Sequence, residues 1–195
     1  MPGPYGSGNF GNRTRWDPCG QYGLDMRPER KETRLRGYDY ARLGLYFVTI
    51  CCHERAPVFG IVRDGRMRPN DLGGIVSRCW KAIPEHHGGV ALDEFVLMPD
   101  HVHGLLALGF DTAGGRATSS RRAAAAPHPV LPRLGTVVGA FKSAAGRLVN
   151  LHRGTPGPAV WQRGYHEHIV RNEDDLRRIR EYIAMNPSMS HAPNP

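Results

Sequence analysis

The order of apolar and polar residues predicts alternating strands and helices between about residue 34 and residue 189. Runs rich in β-branched, apolar or aromatic residues predict strands over 45–52, 90–98, 102–108 and 160–170. Apolar residues at helical spacing predict helices over 71–83, 134–151 and 173–186. The turn dipeptide Asp64-Gly65 predicts a short hairpin within 59–68. The pattern therefore predicts one mixed domain of strands and helices.

Three stretches lack this periodicity. Residues 1–33 are rich in Gly, Pro, Asn and Arg, which predicts a disordered basic arm. Residues 110–133 are rich in Ala, Gly, Ser and Pro, which predicts a long mobile insertion within the domain. Residues 190–195 are expected to form a short tail. The domain itself is therefore assigned to 34–189.

The charge of the chain changes this picture by indicating a partner. The 195 residues carry a formal net charge of +8 and ten histidines besides. Such a balance favours a polyanion, with nucleic acid first and a membrane surface second. There is no apolar run long enough for a transmembrane helix and no apolar core of a signal peptide, so we expect a cytoplasmic protein with no membrane partner. The four cysteines lack the spacing of a zinc ribbon or a disulfide framework.

Two histidines at the end of an apolar run are the first candidates for chemistry. In an extended chain, His101 and His103 point to one face while Val102 points to the other. Two imidazoles on one face form a pair of ligands for a divalent metal that keeps open positions for a substrate. The alternative is two polar residues on the wet face of an edge strand. Because Pro99 interrupts the ladder just before them, we expect a kink that aims both histidines outward.

The last helix is predicted to begin at the cap Asn172 and to end soon after Asn186, since Pro187 follows. Tyr182 lies on the flank of its apolar stripe, and Asn186 lies one turn later on the same side. Taken alone, Tyr182 indicates a half-buried packing residue more than a functional one.

Basic side chains near these segments are candidate DNA contacts. Lys142 and Arg147 lie on the predicted helix 134–151, where they are available to phosphates. Arg163 stands among aromatic residues of 160–170 that are suited to stacking on unpaired bases. Arg171 and Arg178, around the start of the last helix, complete the predicted set.

Taken together, these segments resemble the REP-associated tyrosine transposases, a branch of the single-tyrosine HUH transposases. The resemblance covers about residues 34–189. It rests on residues 37–40, which lead into 46–51, and on Leu92–Gly104, which contains the motif Met-Pro-x-His-Val-His. It also rests on Val160–Arg163 and Tyr165–Asn172, and on Ile179–Pro187, which contains Tyr-Ile-x-x-Asn-Pro. His-x-His alone is a weak signal. The Met-Pro-x-His-Val-His motif, followed much later by Trp-Gln-Arg and then by Tyr-Ile-x-x-Asn-Pro, is specific.

The resemblance implies an α+β fold, an RRM- or ferredoxin-like sandwich with a central antiparallel sheet and helices packed on it. It implies that His101, His103 and Asn186 bind Mg²⁺ or Mn²⁺, and that Tyr182 is the nucleophile. The activity it implies is nicking and rejoining of single-stranded DNA at palindromic hairpin repeats, through a 5′-phosphotyrosine intermediate. A nucleoid-associated protein is expected, as a monomer or a homodimer.

Other functions remain open at this point. The same scaffold serves catalytically silent DNA- or RNA-binding proteins. A hydrolytic metal nuclease would use water in place of Tyr182 and leave no covalent product. A structural zinc protein is the weakest alternative, because the cysteines lack ligand spacing.

Overall fold

The computed structural model describes residues 44–109, 132–155 and 159–189. In this part of the chain, six strands and four α-helices follow one another as β1 (Gly44–Cys51), β2 (Gly60–Arg63), β3 (Arg66–Pro69), α1 (Asp71–Lys81), α2 (Ile83–His86), β4 (Val90–Leu97), β5 (His101–Leu108), α3 (Leu134–Arg153), β6 (His166–Ile169) and α4 (Glu173–Met189). The predicted arm 1–33, segment 37–40, the tail 190–195 and all of the predicted insertion except residues 132–133 lie outside the described residues. None of the described helices has the length and apolarity needed to cross a membrane.

The main sheet has the topology of a ferredoxin-like fold. Its strand order is β4-β5-β1-β6, and every neighbouring pair is antiparallel. Without β2 and β3, the chain runs strand, helix, strand, strand, helix, strand, which is the split βαβ arrangement. The predicted fold class is therefore confirmed. The separate hairpin β2–β3 is inserted before α1, and α4 is added at the end.

Both faces of this sheet are covered. One face packs with α1 and α3 on a large apolar core that includes Tyr46, Val48 and Trp80. The opposite face packs under α4 on a smaller core formed by Phe47, Leu105, Ile179 and Ile183. The alternation of side chains along β1 and β5 explains this division, because successive residues point to opposite faces. All eight residues of β5 are consequently buried.

One glycine is required for this packing. A Cβ added to Gly104, on β5, would lie 2.2 Å from Cζ2 of Trp80. The indole of Trp80 therefore lies directly on the backbone of β5, where only glycine leaves room.

The structure corrects two boundaries. Helix α4 continues to Met189 with Pro187 inside it, whereas Pro187 was expected to end it. In the last turn a proline removes only one helical hydrogen bond, so the helix tolerates it there. The predicted strand 160–170 is also divided: Trp161 makes an isolated bridge to Cys52, and regular pairing begins only at His166.

Candidate functional site

The two histidines lie on β5, on the sheet face that α4 covers. In the antiparallel register His103 stands opposite Thr49 and His101 opposite Cys51. His101 is 4% exposed and His103 is 1% exposed. The prediction that they share one face, with Val102 in the opposite core, is confirmed. The expected outward kink is wrong, because the covering helix buries this face.

Each imidazole is held by a hydrogen bond at its Nδ1 atom. Nδ1 of His101 donates to Oδ1 of Asp100 over 2.6 Å, because an ionised carboxylate only accepts. Asp100 is held in turn by Arg55, whose Nε lies 3.1 Å from Oδ2. Nδ1 of His103 lies 2.8 Å from the hydroxyl of Thr49. The two Nε2 atoms are thereby turned towards each other, 3.0 Å apart.

The electrostatics of the pair favour an uncharged His103. Burial is the main cause that holds the pKa of His103 well below its ordinary value, and the neighbouring His101 and Arg55 side chains add to it. Burial by itself raises the pKa of Asp100, but the hydrogen bond from His101 and the charge of Arg55 more than offset this and lower it. Neutral imidazole is the form that binds a metal, and a carboxylate behind the other imidazole fixes its tautomer.

Helix α4 brings the tyrosine to this pair. Its start is capped by Asn172, whose Oδ1 accepts from the backbone N–H of Asp175. Tyr182 is half-buried, and its Oη lies 3.3 Å from Nε2 of His103. Its ring meets the ring of Phe47 edge-on at a centroid distance of 6.0 Å. Asn186 follows one helical turn later and is 9% exposed.

Two polar contacts attach α4 to opposite edges of the sheet. On β4, Asp93 accepts from Nε of Arg180 over 2.9 Å and from Nη2 over 2.5 Å. On β6, Nε2 of His168 lies 2.8 Å from Oδ2 of Asp175. Tyr182 is two residues beyond Arg180, so the ion pair on β4 is the anchor closer to it.

The donor set fits a small divalent cation. Two nitrogens bound at right angles to an ion at about 2.1 Å would lie about 3.0 Å apart, which is the separation of the two Nε2 atoms. In the described part of the chain, no group of three or more His, Cys, Asp or Glu side chains could hold a metal ion. A cation at this pair would therefore need further ligands of other kinds, such as water or phosphate oxygens.

The predicted DNA contacts differ in availability. The Nζ atom of Lys142 donates to the carbonyl oxygens of Gln162 and Gly164 over 2.7 and 2.6 Å. Two of its three hydrogen-bond donors therefore hold the segment before β6. The other four predicted contacts are exposed: Arg147, Arg163, Arg171 and Arg178.

The aromatic part of that prediction is corrected at Trp161. Its side chain is buried between Phe59 and Phe141 in the larger core, so it is not available to stack on a base.

Sequence reasoning missed the residues that orient the histidines. Asp100 precedes His101 directly, and this adjacency was a signal that could have identified it. Thr49 is a polar residue in an otherwise apolar strand, which is also visible in the sequence. Arg55 reaches Asp100 from a single-turn 3-10 helix (His53–Arg55) after β1, and no local pattern indicates that contact.

No family model matches this chain. Among solved structures, it is similar to a REP-associated tyrosine transposase bound to a REP hairpin, with a TM-score of 0.49 and 17% identity over 80% of this chain and 72% of the other. It is also similar to a candidate transposase of Deinococcus radiodurans, with a TM-score of 0.44 and 20% identity over 77% of this chain and 95% of the other.

A curated relative is closer in sequence. An uncharacterized protein of Haemophilus influenzae is 37% identical over 161 residues, which are 81% of this chain and 88% of the relative. Identity at this level over most of both sequences places the chain in the same family as that Haemophilus influenzae protein.

Proposed function

We propose that this protein is a transposase-like enzyme that nicks and rejoins single-stranded DNA through Tyr182. The proposal is carried by three atoms that lie close together. Nε2 of His103 lies 3.3 Å from Oη of Tyr182 and 3.0 Å from Nε2 of His101. The sequence motifs that resemble REP-associated tyrosine transposases contain the same three residues.

In this proposal, His101, His103 and Asn186 hold Mg²⁺ or Mn²⁺. Such an ion, when bound, supplies a Lewis acid for a non-bridging oxygen of the scissile phosphate. Asp100 and Thr49 contribute by fixing the imidazoles so that both Nε2 lone pairs face the ion. Burial keeps His103 neutral and therefore able to act as a ligand.

Tyr182 acts as the nucleophile. Its Oη forms a bond to phosphorus while the bond from phosphorus to the 3′ oxygen breaks, which gives a 5′-phosphotyrosine and a free 3′-hydroxyl. The phenolic proton is lost to solvent and the leaving 3′ oxygen gains one, so the step is balanced. Because a free phenol has a pKa near 10, attack needs local positive charge. The phosphotyrosine bond keeps the energy of the original linkage, so the strand can be rejoined without ATP.

The proposed substrate is DNA with palindromic hairpin repeats. The net charge of +8 supports a polyanionic substrate, and the hairpin follows from the resemblance alone. Tyr182 and both histidines meet within one chain, which supports use of Tyr182 by its own chain in a monomer or in each half of a homodimer.

The decisive experiment is to incubate the protein with labelled single-stranded hairpins taken from the palindromes that flank its gene, with Mg²⁺ or Mn²⁺. We expect a protein–DNA adduct that survives denaturation. The adduct should be lost in Tyr182→Phe and in His101→Ala. Tyr165→Phe, on the opposite core, and His86→Ala, on the surface, are matched controls that should retain it.

Two results would replace the proposal. Cleavage without an adduct, unaffected by Tyr182→Phe, would identify a hydrolytic nuclease. Tight binding of the same hairpins with neither cleavage nor adduct would identify a catalytically silent DNA-binding protein.

A further inference from the structure

The inserted hairpin β2–β3 contributes no side chain to the histidine and tyrosine site. Its turn is tight, because Asp64 and Gly65 both have positive φ angles (53° and 67°). This is the two-residue turn that matches the twist of a hairpin. Val62 and Met67 are paired in register on its inner face, and Met67 packs on the larger core. The hairpin is therefore an ordered element with one free face.

That free face is basic. The cross-strand pairs Arg63–Arg66 and Ile61–Arg68 all point outward, and all four residues are exposed. The only ion pair of these arginines within the described residues joins Arg63 to Asp64 at 4.0 Å, with both side chains more than three-quarters exposed. Such a pair contributes little.

This arrangement costs stability in the free protein. Like charges directly opposite each other on a sheet repel, and here Arg63 faces Arg66 with only the weak pair to Asp64 to offset the repulsion. When a polyanion binds, its phosphates lie between the guanidinium groups, so attraction to the phosphates replaces the repulsion between the arginines. The exposed Ile61 beside Arg68 offers an apolar surface within the same face.

The hairpin also adjoins the proposed active site at both of its ends. At its base, the N–H of Phe59 donates to the carbonyl oxygen of Pro99, two residues before His101. At its tip, a Cβ on Gly65 would lie 3.5 Å from Ser188, which is two residues after Asn186 on α4. The hairpin therefore contacts both the segment that leads into β5, which carries the histidines, and the end of α4, which carries Tyr182.

We propose that the outer face of β2–β3, formed by Ile61, Arg63, Arg66 and Arg68, binds the phosphodiester backbone of the DNA engaged at Tyr182. This rests on the proposed function for the identity of the polymer. The hairpin supplies affinity and alignment of the strand and takes no part in the bond-making step.

The test measures how DNA affinity depends on salt in the full chain. The double variant Arg66→Gln/Arg68→Gln removes two outward charges that have no ion-pair partner among the described residues. The matched control is Arg78→Gln/Lys81→Gln, which removes two exposed charges from α1, on the sheet face opposite α4. Arg66→Lys/Arg68→Lys keeps the charge. The probes are single-stranded oligo(dT), a duplex of mixed sequence, and vesicles of anionic phospholipid.

We expect the salt dependence of binding to be weaker in the glutamine hairpin variant. The magnitude of the slope of log affinity against log salt should decrease by about 1.4 for the single strand or by about 1.8 for the duplex. The control and the lysine variant should keep slopes close to that of the parent. The DNA probe whose slope changes by its own expected amount identifies the form of DNA on the hairpin.

Three results would overturn the inference: an unchanged slope, an equal change in the α1 control, or a change confined to vesicle binding. Since exposed arginines are replaced, a Tm no lower than that of the parent in every variant shows that folding is intact. If the active-site proposal fails, the parent protein forms no Tyr182 adduct. The salt dependence of DNA affinity can still be measured in that case, so the two failures are distinguishable.

Discussion

At the scale of single residues, the site depends on side chains that do not touch the substrate. Asp100 fixes His101 through its Nδ1, and Thr49 fixes His103 in the same way. An imidazole without such a partner samples other ring orientations and loses its aim at the second Nε2 atom. Removal of a partner of this kind commonly costs 10- to 100-fold in metal affinity.

We therefore predict that Asp100→Asn binds Mn²⁺ about 10- to 100-fold more weakly than the parent protein, in titration calorimetry. The carboxamide is a weaker acceptor for His101 and leaves Arg55 without its negative partner. Asp71→Asn is the control, since Asp71 is almost fully exposed. Equal Mn²⁺ affinity in Asp100→Asn and in the parent would show that Asp100 does not orient a ligand.

A second prediction concerns Gly104, whose missing side chain lets Trp80 lie on β5. Gly104→Ala should lower the free energy of unfolding by about 1–3 kcal/mol, because its Cβ would overlap the indole ring. Gly139→Ala is a matched change on the exposed side of α3, with no atom within 4 Å of the new Cβ. It should raise the free energy of unfolding by up to about 1 kcal/mol, since alanine is the better helix former. Urea unfolding of the two variants tests for these opposite signs.

At the scale of elements, α4 determines whether Tyr182, the proposed nucleophile, meets the histidines. The helix is attached by the Arg180–Asp93 pair at one edge of the sheet and by His168–Asp175 at the other. The apolar contact between these anchors is small, so the polar anchors carry a large share of the positioning.

Removal of the nearer anchor should affect chemistry more than stability. Arg180→Gln is expected to slow formation of the Tyr182 adduct about tenfold while lowering the free energy of unfolding by no more than about 1 kcal/mol, as is usual for a partly exposed pair. Arg177→Gln breaks the exposed i,i+3 pair with Asp174 on the same helix and should leave the adduct rate unchanged. If both variants slow the reaction equally, the Asp93 contact has no special positioning role.

The same pair predicts a dependence of stability on pH. The hydrogen bond from Arg180 lowers the pKa of Asp93 below its ordinary value, more than burial raises it. A carboxylate with a lowered folded-state pKa stabilises the fold above its unfolded pKa, and this contribution is lost as the pH falls through the folded value. Stability should therefore fall more steeply below pH 4 in the parent than in Asp93→Asn, as measured by urea unfolding across that range.

Local patterns predicted the elements well because each element satisfies its own periodicity. The apolar run in 102–108 and the cap at Asn172 needed no tertiary information. The burial of the histidines could not be predicted in this way, since it depends on α4 returning over a face that local sequence leaves open. The same limit applies to Arg55 and Arg180, because each meets its partner through long-range packing.

At the scale of the whole molecule, the two sides of the site rest on cores of different size. Among the described residues, 22 apolar side chains are buried in the core beneath α1 and α3, whereas four apolar side chains are buried in the core beneath α4. Local opening requires less free energy where less apolar surface is released. The histidines therefore belong to the more stable part of the fold and Tyr182 to the less stable part.

Hydrogen exchange should make this difference visible. The amides of α4 around Ile179 and Ile183 are expected to exchange faster than those of β5 around Leu105 and Leu106, although all four side chains are buried. Mass spectrometry of peptides from the two segments measures the rates. Equal protection would show that α4 and the sheet unfold only together.

The complete burial of β5 has a consequence for which changes of length this fold tolerates. Odd-numbered and even-numbered positions of the strand serve different neighbours, with the histidines beneath α4, Val102 in the larger core and Gly104 against Trp80. If one residue between Leu97 and His101 is deleted and β5 slides by one residue along β4, every side chain of the strand moves to the other face. Val102 would then lie on the face of Tyr182, and both histidines would lie on the face of the larger core. The proposed metal ligands and the packing of the core therefore depend on the same register of β5.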